Sequence, residues 1–272
     1  MNITKAIIPV AGWGTRRLPI TKTIEKCMLP IGNRPVVDYV VQDCIKAGIT
    51  DIYFIISEQS TQLHDYYRTN IDLNNYLVRN GKENLLPLIA PPKVRLHYVV
   101  QSSYGKYGTA VPVSLVVPLL NEGESVVVLM GDDCIYRKDG TSEVQRLIEA
   151  ARDDSSMLGV QVPHEDISRY GVIKTNDTKD FIGIVEKPKL EEAPSDMINV
   201  SKYVFNYDAL KMIQNYAENA KPNGEYVITD PINEYVSSGG KLKVIEAEGQ
   251  YLDSGTVQGW LKANQIVVQD IE

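Results

Sequence analysis

The chain has 272 residues, of which 43% are hydrophobic and 23% are charged, and its formal net charge is −7. This length suits one large α/β domain or two small ones, and the composition is that of an ordinary globular protein. The acidic balance argues against non-specific binding to nucleic acid or to a membrane, because both require a basic surface. We therefore expect neither a nucleic-acid partner nor a membrane partner.

The cysteines indicate a reducing compartment. Cys27, Cys44 and Cys134 are an odd number and include no C-x-x-C pair, which is typical of reduced thiols rather than of a disulfide framework. No segment approaches the roughly 20 apolar residues of a membrane span, and the N-terminus lacks the pattern of a secretion signal. We expect a cytoplasmic location.

The first predicted element is a short buried strand from Lys5 to Val10, rich in Ile and Val. It ends at a loop that contains Gly12 and Gly14 and leads directly to Arg16 and Arg17. Glycines let backbone N–H groups approach a ligand, and the cations indicate an anion, most simply a phosphate chain. Neither a dinucleotide fingerprint nor a Walker loop fits, since the required third glycine and Gly-Lys-Ser/Thr are missing. On the glycines alone, a plain turn with surface cations is an equally good interpretation.

A βαβ unit comes next. Apolar residues recur at helical spacing from Val36 to Ile45, with Gly48 placed to end the helix. Ile52 to Ile56 reads as a second buried strand, so a parallel sheet is predicted. Residues 60–92 look like a helical excursion to which the sequence assigns no chemical role.

A third strand, Arg95 to Gln101, is followed by a polar, glycine-containing stretch. A glutamine at a strand end can offer a donor and an acceptor to the edge of a base. Gly108 would let that base lie close to the backbone. From spacing alone, a polar turn before a helix near Thr109 explains these residues equally well.

Ser125 to Met130 is apolar throughout, as expected of a strand covered on both faces, and it leads into Gly131-Asp132-Asp133. Carboxylates at the carboxyl end of a central strand lie where open α/β sheets bind ligands. Oxygen ligands beside phosphates suit Mg²⁺. A simple turn is the alternative interpretation.

The second half begins with an amphipathic helix, Thr141 to Ala151, and continues in short extended pieces. Tyr170-Gly171 opens one of these pieces and Glu186-Lys187 closes the next. Pro188 favours an extended conformation at Lys187, which would hold its ammonium ready for a partner. An exposed charged turn is the alternative. Helices are also predicted from Thr229, as the cap, to Val236 and from Val257 to Val268.

Several of these motifs form one string. Gly12 to Pro19 (GWGTRRLP), Thr21-Lys22 and Lys26 to Pro30 (KCMLP) together resemble the signature of the sugar-1-phosphate nucleotidyltransferases, and the bacterial UTP–glucose-1-phosphate uridylyltransferases look most similar. The family often has Leu at the position of Trp13 and Glu at that of Cys27. Neither change removes a charge that the phosphate chemistry needs.

The resemblance implies a Rossmann-like α/β fold: a mostly parallel central sheet covered by helices, with a smaller mixed sugar-binding portion. We expect a single nucleotidyltransferase domain over 1–272, with a nucleotide half at about 1–135 and a sugar-phosphate half with a C-terminal helix at about 136–272. The implied reaction joins UTP and glucose 1-phosphate, gives UDP-glucose and pyrophosphate, and uses Mg²⁺. A homodimer or homotetramer is also implied.

The resemblance assigns roles to individual residues. The implied nucleotide-binding residues are Ala11, Gly12, Gly14, Thr15, Arg16, Lys26, Gln101 and Gly108. The implied sugar-phosphate residues are Tyr170, Gly171, Glu186 and Lys187. The implied metal ligands are Asp132 and Asp253, the latter from Tyr251-x-Asp253-x-Gly255, and the implied catalytic residues are Arg16, Lys26, Asp132 and Lys187.

Two further departures and two alternatives remain. Gly131 resembles the thymidylyl branch, whereas the uridylyl branch usually has Pro there, so a dTTP-using enzyme is the first alternative. Ser201 stands where the family usually has glycine. Separately, Glu225 is expected to support the sugar pocket. The second alternative is a non-catalytic nucleotide-sugar sensor, which would be expected to lack a metal aspartate or a phosphate lysine, and this chain keeps both.

Overall fold

The computed structural model describes residues 3–178 and 180–270. Its strands are β1 (Lys5–Pro9), β2 (Pro30–Ile31), β3 (Arg34–Pro35), β4 (Asp51–Ser57), β5 (Arg95–Gln101), β6 (Val126–Leu129), β7 (Asp133–Tyr136), β8 (Ser155–Gln161), β9 (Gly171–Thr175), β10 (Phe181–Glu186), β11 (Met197–Phe205), β12 (Leu242–Glu246) and β13 (Gln250–Asp253). Its helices are α1 (Val36–Lys46), α2 (Gln62–Tyr67), α3 (Ile71–Arg79), α4 (Ala110–Ser114), α5 (Glu143–Ala151), α6 (Tyr207–Asn219), α7 (Thr229–Ser237) and α8 (Val257–Val268).

One large sheet organises the molecule, in the order β10-β9-β11-β6-β1-β4-β5, with β8 paired to both β11 and β12. The neighbours β6, β1, β4 and β5 run parallel, as predicted from their apolar sequences. β11 runs antiparallel to β6 and carries the sheet into the second half of the chain. The α/β class and the central parallel sheet are thereby confirmed.

The strands at the centre are apolar on both faces because each face has its own core. Successive side chains of a strand point to opposite sides. Ile8 therefore packs with Val37 and Val41 of α1, whereas Ile7 packs in the other core with Val113 of α4 and Leu210 of α6. The two cores hold the sheet between layers of helices. The candidate site lies at the carboxyl ends of its parallel strands.

Local signals placed several elements correctly. The buried residues of α1 follow the predicted helical spacing, and Gly48, just after its end, has the positive φ of 85° that favours glycine. The 60–92 excursion is largely helical and contains α2 and α3. No helix in 3–178 or 180–270 is both long and apolar enough to cross a membrane.

Candidate active site

The carboxyl ends of β1, β5 and β6 open on one cleft of about 450 Å³. Since parallel strands end at the same edge of a sheet, the loops that follow them meet there. The predicted site residues that line this cleft are Ala11, Gly12, Gly14, Thr15, Lys26, Gln101, Gly108 and Asp132. The structure therefore brings together the glycine loop, the glutamine and the first aspartate.

Gly14 lets the loop fold back on itself. Its φ of +64° is left-handed, and an added Cβ would lie 3.0 Å from Thr21 Cγ2 and 3.1 Å from Lys26 Cβ. Thr21 Oγ1 also donates a hydrogen bond to the Gly14 carbonyl at 2.9 Å. A side chain at Gly14 would push Lys26 out of place, so this glycine positions a charged group as well as exposing backbone.

Lys26 and Asp132 form a direct ion pair in the cleft. Burial acts to raise the pKa of Asp132, but the charge and hydrogen bond of Lys26 outweigh it and the net pKa is lowered. Asp132 is therefore a carboxylate at neutral pH, which is the form that binds a cation. Because the ammonium of Lys26 lies in the cleft, it can leave the Asp132 carboxylate and pair with a phosphate of a bound substrate instead.

Asp253 lies beside Asp132. β7 and β13 pair antiparallel with Asp133 opposite Asp253, and the Ser254 hydroxyl donates to the Asp132 carbonyl. Asp253 accepts hydrogen bonds from the Gly255 N–H at 2.8 Å and from the Tyr170 hydroxyl at 3.2 Å. Asp253 thus ends β13, and Asp132 directly precedes β7, the strand that pairs with β13.

Two carboxylates fit magnesium when a substrate is present. Within 3–178 and 180–270, no group of three or more His, Cys, Asp or Glu side chains is arranged to hold a metal. Mg²⁺ does not require one, because it is usually bound by one or two carboxylates together with water and substrate phosphates. Asp132 and Asp253 supply the oxygen donors that such a site needs.

An unpredicted buried lysine lies behind the aspartates. Lys202 is only 4% exposed, and its ammonium donates to the carbonyls of Met130 at 3.1 Å and Asp133 at 3.3 Å and forms an ion pair with the Asp133 carboxylate. The Tyr251 hydroxyl donates to the same carboxylate at 2.9 Å. These contacts tie β7, β11 and β13 to the segment that follows β6, beside the backbone of Asp132 and Asp253.

The two arginines after the glycine loop have different environments. Arg16 is exposed and does not line the cleft. Arg17 is predicted, like Arg16, to bind an anionic ligand. Its side chain is only 3% exposed, so that prediction is wrong. Its guanidinium donates to the carbonyls of Ser254 and Thr256 and lies 5.2 Å from the centre of the Trp260 ring. Arg17 therefore fastens the loop to the turn that follows Asp253.

The predicted sugar-phosphate residues form one group next to Asp253. Tyr170 reaches Asp253 through its hydroxyl, and its carbonyl accepts the Lys187 N–H at 3.0 Å. Glu186 pairs with Gly171 across β9 and β10, and a Cβ on Gly171 would lie 3.0 Å from Glu186 Oε1. Gly171 thus makes room for the Glu186 carboxylate.

Lys187 is not extended, so that prediction is wrong. Its φ is +45°, because its N–H continues the ladder to Tyr170 while the chain leaves the sheet at Pro188. Its side chain is exposed, and among the described residues its ammonium has no hydrogen-bond or ion-pair partner. The ammonium is therefore available to an incoming anion.

The segment 223–230 closes the nucleotide side of the cleft. A Cβ on Gly108 would lie 2.5 Å from the Tyr226 backbone, and Tyr226 exchanges backbone hydrogen bonds of 2.9 Å with Tyr107 and Ala110. Gly108 is thus required for backbone packing, whatever else it contacts. Glu225 lines this cleft and not, as expected, a sugar pocket.

The expected capping role of Thr229 is also wrong. The Thr229 hydroxyl is buried without a partner among the described residues, and the Thr109 hydroxyl accepts the Ile228 N–H at 2.9 Å instead. The start of α7 is therefore fastened to the loop that carries Gly108.

Ser201 occupies a strained position next to Met130, which lines the cleft. Its φ is +51°, in an irregularity of β11 between Asn199 and Tyr203, and its carbonyl accepts the Met130 N–H at 3.3 Å. A left-handed backbone favours glycine, which is the residue expected here from the resemblance.

Comparison with known proteins identifies the class. The family model for nucleotidyl transferases matches residues 5–270, and the chain belongs to that family. A UTP–glucose-1-phosphate uridylyltransferase of Streptococcus pneumoniae is 31% identical, over 97% of this chain and 89% of that protein. A protein of Methanocaldococcus jannaschii that bears the same name provisionally is 34% identical, over 96% and 92%. The UTP-bound UGPase of Acinetobacter baumannii superposes with a TM-score of 0.86 at 26% identity, over 98% and 93%.

Proposed function

We propose that this protein is a nucleotidyltransferase that joins UTP and glucose 1-phosphate to give UDP-glucose and pyrophosphate. The observation that carries the proposal is the ion pair of Lys26 with Asp132 in a cleft lined by a glycine loop and Gln101. Asp253, in a neighbouring cavity with Tyr170, is joined to this site by the hydrogen bond from the Ser254 hydroxyl to the Asp132 carbonyl. The matching relatives have the same activity in their names.

The reaction requires positioning and charge neutralisation, with no protein nucleophile. The phosphate oxygen of the sugar phosphate is already ionised near neutral pH, so it can attack the α-phosphorus directly as pyrophosphate leaves in line. Mg²⁺ held by Asp132 and Asp253 would neutralise charge on the phosphates. Lys26 in the cleft, and Arg16 from the exposed turn after the glycine loop, bind the pyrophosphate, whose charge grows as it departs.

The remaining predicted residues hold the two substrates. Gln101 recognises the edge of the uracil, with Gly108 beneath the base. Glu186 and Gly171 bind sugar hydroxyls beside Tyr170. Lys187, exposed and without a partner among the described residues, directs the phosphate of glucose 1-phosphate toward the α-phosphorus.

The test is the release of pyrophosphate from each pairing of UTP or dTTP with glucose 1-phosphate or galactose 1-phosphate. UTP with glucose 1-phosphate is expected to give the highest kcat/KM, and chelation of Mg²⁺ is expected to stop release. An absence of pyrophosphate in every pairing would refute the enzymatic function and favour a sensor.

Thymidylyl transfer remains the second candidate, because Gly131 resembles that branch. Packing offers a different reason for this glycine: a Cβ there would lie 2.5 Å from Val10 Cγ1, and the Gly131 N–H donates to the Pro9 carbonyl at 3.3 Å. Equal kcat/KM for dTTP and UTP would favour the thymidylyl assignment.

The cellular setting and assembly are part of the proposal. Cys27, Cys44 and Cys134 are buried free thiols, which supports a reducing cytoplasm. β11 pairs with β6 and joins the two halves in one sheet, which supports a single domain. A homodimer or homotetramer follows from the family resemblance, and sedimentation would test it.

A further inference from the structure

Trp13 stands between the two glycines of the loop, and its side chain is 63% exposed on the wall of the nucleotide cleft. Single exposed apolar residues on convex surfaces are common and need no explanation. An exposed indole in a concave cleft beside converging polar groups is different, because such clefts bind small molecules.

The fold leaves the indole unfastened. An added Cβ at Gly12 would meet nothing within 4 Å, so the loop borders open space next to Trp13. Among the described residues, the Trp13 side chain makes no hydrogen bond and belongs to neither hydrophobic core. Its orientation is therefore free to be set by a ligand.

The rest of the cleft indicates which ligand. Gln101, Gly108, Pro112 and Met130 line the same space and offer an amide, backbone groups and apolar surface. A planar ring with polar edges, attached to a ribose, matches this combination. Indole faces stack favourably on such rings and on sugar faces.

We propose that Trp13 is a binding residue for the nucleoside part of the triphosphate, over which its indole closes. The inference rests on the proposed function and adds a contact to it. Because the indole is remote from the bonds that form and break, it lowers the KM for UTP and leaves kcat little changed.

Fluorescence tests the contact directly. The chain has two tryptophans, and Trp260 is half-buried with its indole N–H donating to the Pro30 carbonyl at 2.6 Å. In Trp260→Phe, the emission reports Trp13 alone. Saturating UTP with Mg²⁺, in the absence of glucose 1-phosphate, is expected to shift that emission to the blue and to reduce its quenching by acrylamide.

Calorimetry of UTP binding on the same samples distinguishes a failure of the Trp13 contact from a failure of the proposed function. A normal heat of UTP binding with unchanged acrylamide quenching would overturn the role of Trp13 and leave the proposed function standing. No heat of UTP binding to the unsubstituted protein would overturn both.

Kinetics in the otherwise unsubstituted chain provide a second test that does not depend on the folding of Trp260→Phe. Trp13→Ala is expected to raise the KM for UTP about tenfold, the scale of a lost stacking contact, with kcat little changed. Trp13→Phe should restore most of the affinity. The matched control is Tyr76→Ala, an aromatic 48% exposed on α3 that does not line the cleft. An unchanged KM in Trp13→Ala, or an equal rise in Tyr76→Ala, would overturn the inference.

Discussion

Lys202→Met should strongly destabilise the protein. The substitution keeps a side chain of similar length and removes the ammonium, so the Asp133 carboxylate loses its ion pair and keeps only the hydrogen bond from Tyr251. Removal of one partner of a buried pair typically costs about 3–5 kcal/mol of unfolding free energy. We expect about 3 kcal/mol, at the lower end, because Tyr251 still donates to the carboxylate.

A second substitution should recover part of this loss. Burial acts to raise the pKa of Asp133, Lys202 opposes it, and the net pKa is still raised, so the charged pair as a whole contributes little to stability. Lys202→Met combined with Asp133→Asn removes both charges. The double variant is expected to be about 1–2 kcal/mol more stable than Lys202→Met alone.

Urea unfolding followed by circular dichroism measures these differences. Lys243→Met is the control, because Lys243 pairs with Asp180 at 3.0 Å on the surface and such pairs contribute about 1 kcal/mol or less. If Lys202→Met cost no more than this control and the double variant gained nothing, the assigned role of the buried pair would be refuted.

Three further substitutions test the site. Lys187→Ala should lower kcat by about tenfold or more, the value of one charge-assisted contact in the transition state, with an unchanged circular dichroism spectrum; near-normal turnover would remove Lys187 from the mechanism. Asp132→Ala should abolish Mg²⁺-dependent pyrophosphate release, and a normal rate that still required Mg²⁺ would indicate other ligands. Ser201→Gly should raise the unfolding free energy by about 1 kcal/mol by relieving its left-handed backbone, and a fall in the urea midpoint would show that the Ser201 hydroxyl matters more than the strain.

Sequence could predict the sheet because the signals are local. The apolar runs of β1 and β6 require cover on both faces, which is typical of strands in the middle of a parallel sheet covered by helices. The glycines, Gln101 and Asp132 were found for the same reason, since each directly follows such a strand and strand ends converge.

A local signal was present for one element that went unpredicted. Leu210, Ile213 and Ala217 follow helical spacing in α6 and are buried, and the Asn206 side chain accepts the Ala209 N–H as an N-cap. By contrast, β7 and β13 are four residues each and separated by more than a hundred positions, so their pairing has no local signature.

The roles of Arg17 and Lys202 could not be predicted from the sequence either, because they depend on contacts with residues far away in the chain. Arg17 and Arg16 are adjacent and chemically identical, and they are distinguished by the contacts of Arg17 with residues more than 230 positions away, Ser254, Thr256 and Trp260. Lys202 would be expected to face solvent, as most lysines do. The acceptor that keeps it buried is Asp133, 69 positions earlier in the chain.

These anchors explain how the two aspartates can be held at all. Asp253 belongs to a two-stranded ribbon outside the large sheet, and an isolated ribbon of that kind is at best marginally stable. Its position therefore depends on contacts with the rest of the molecule. Besides core packing and the Tyr170 hydroxyl, these include Arg17 from the glycine loop and Lys202, through Asp133, from β11. Since Arg17 enters from the loop that also carries Lys26, the phosphate-binding and metal-binding groups are set by one network. A substitution at either anchor should thus disturb the carboxylates without touching a substrate.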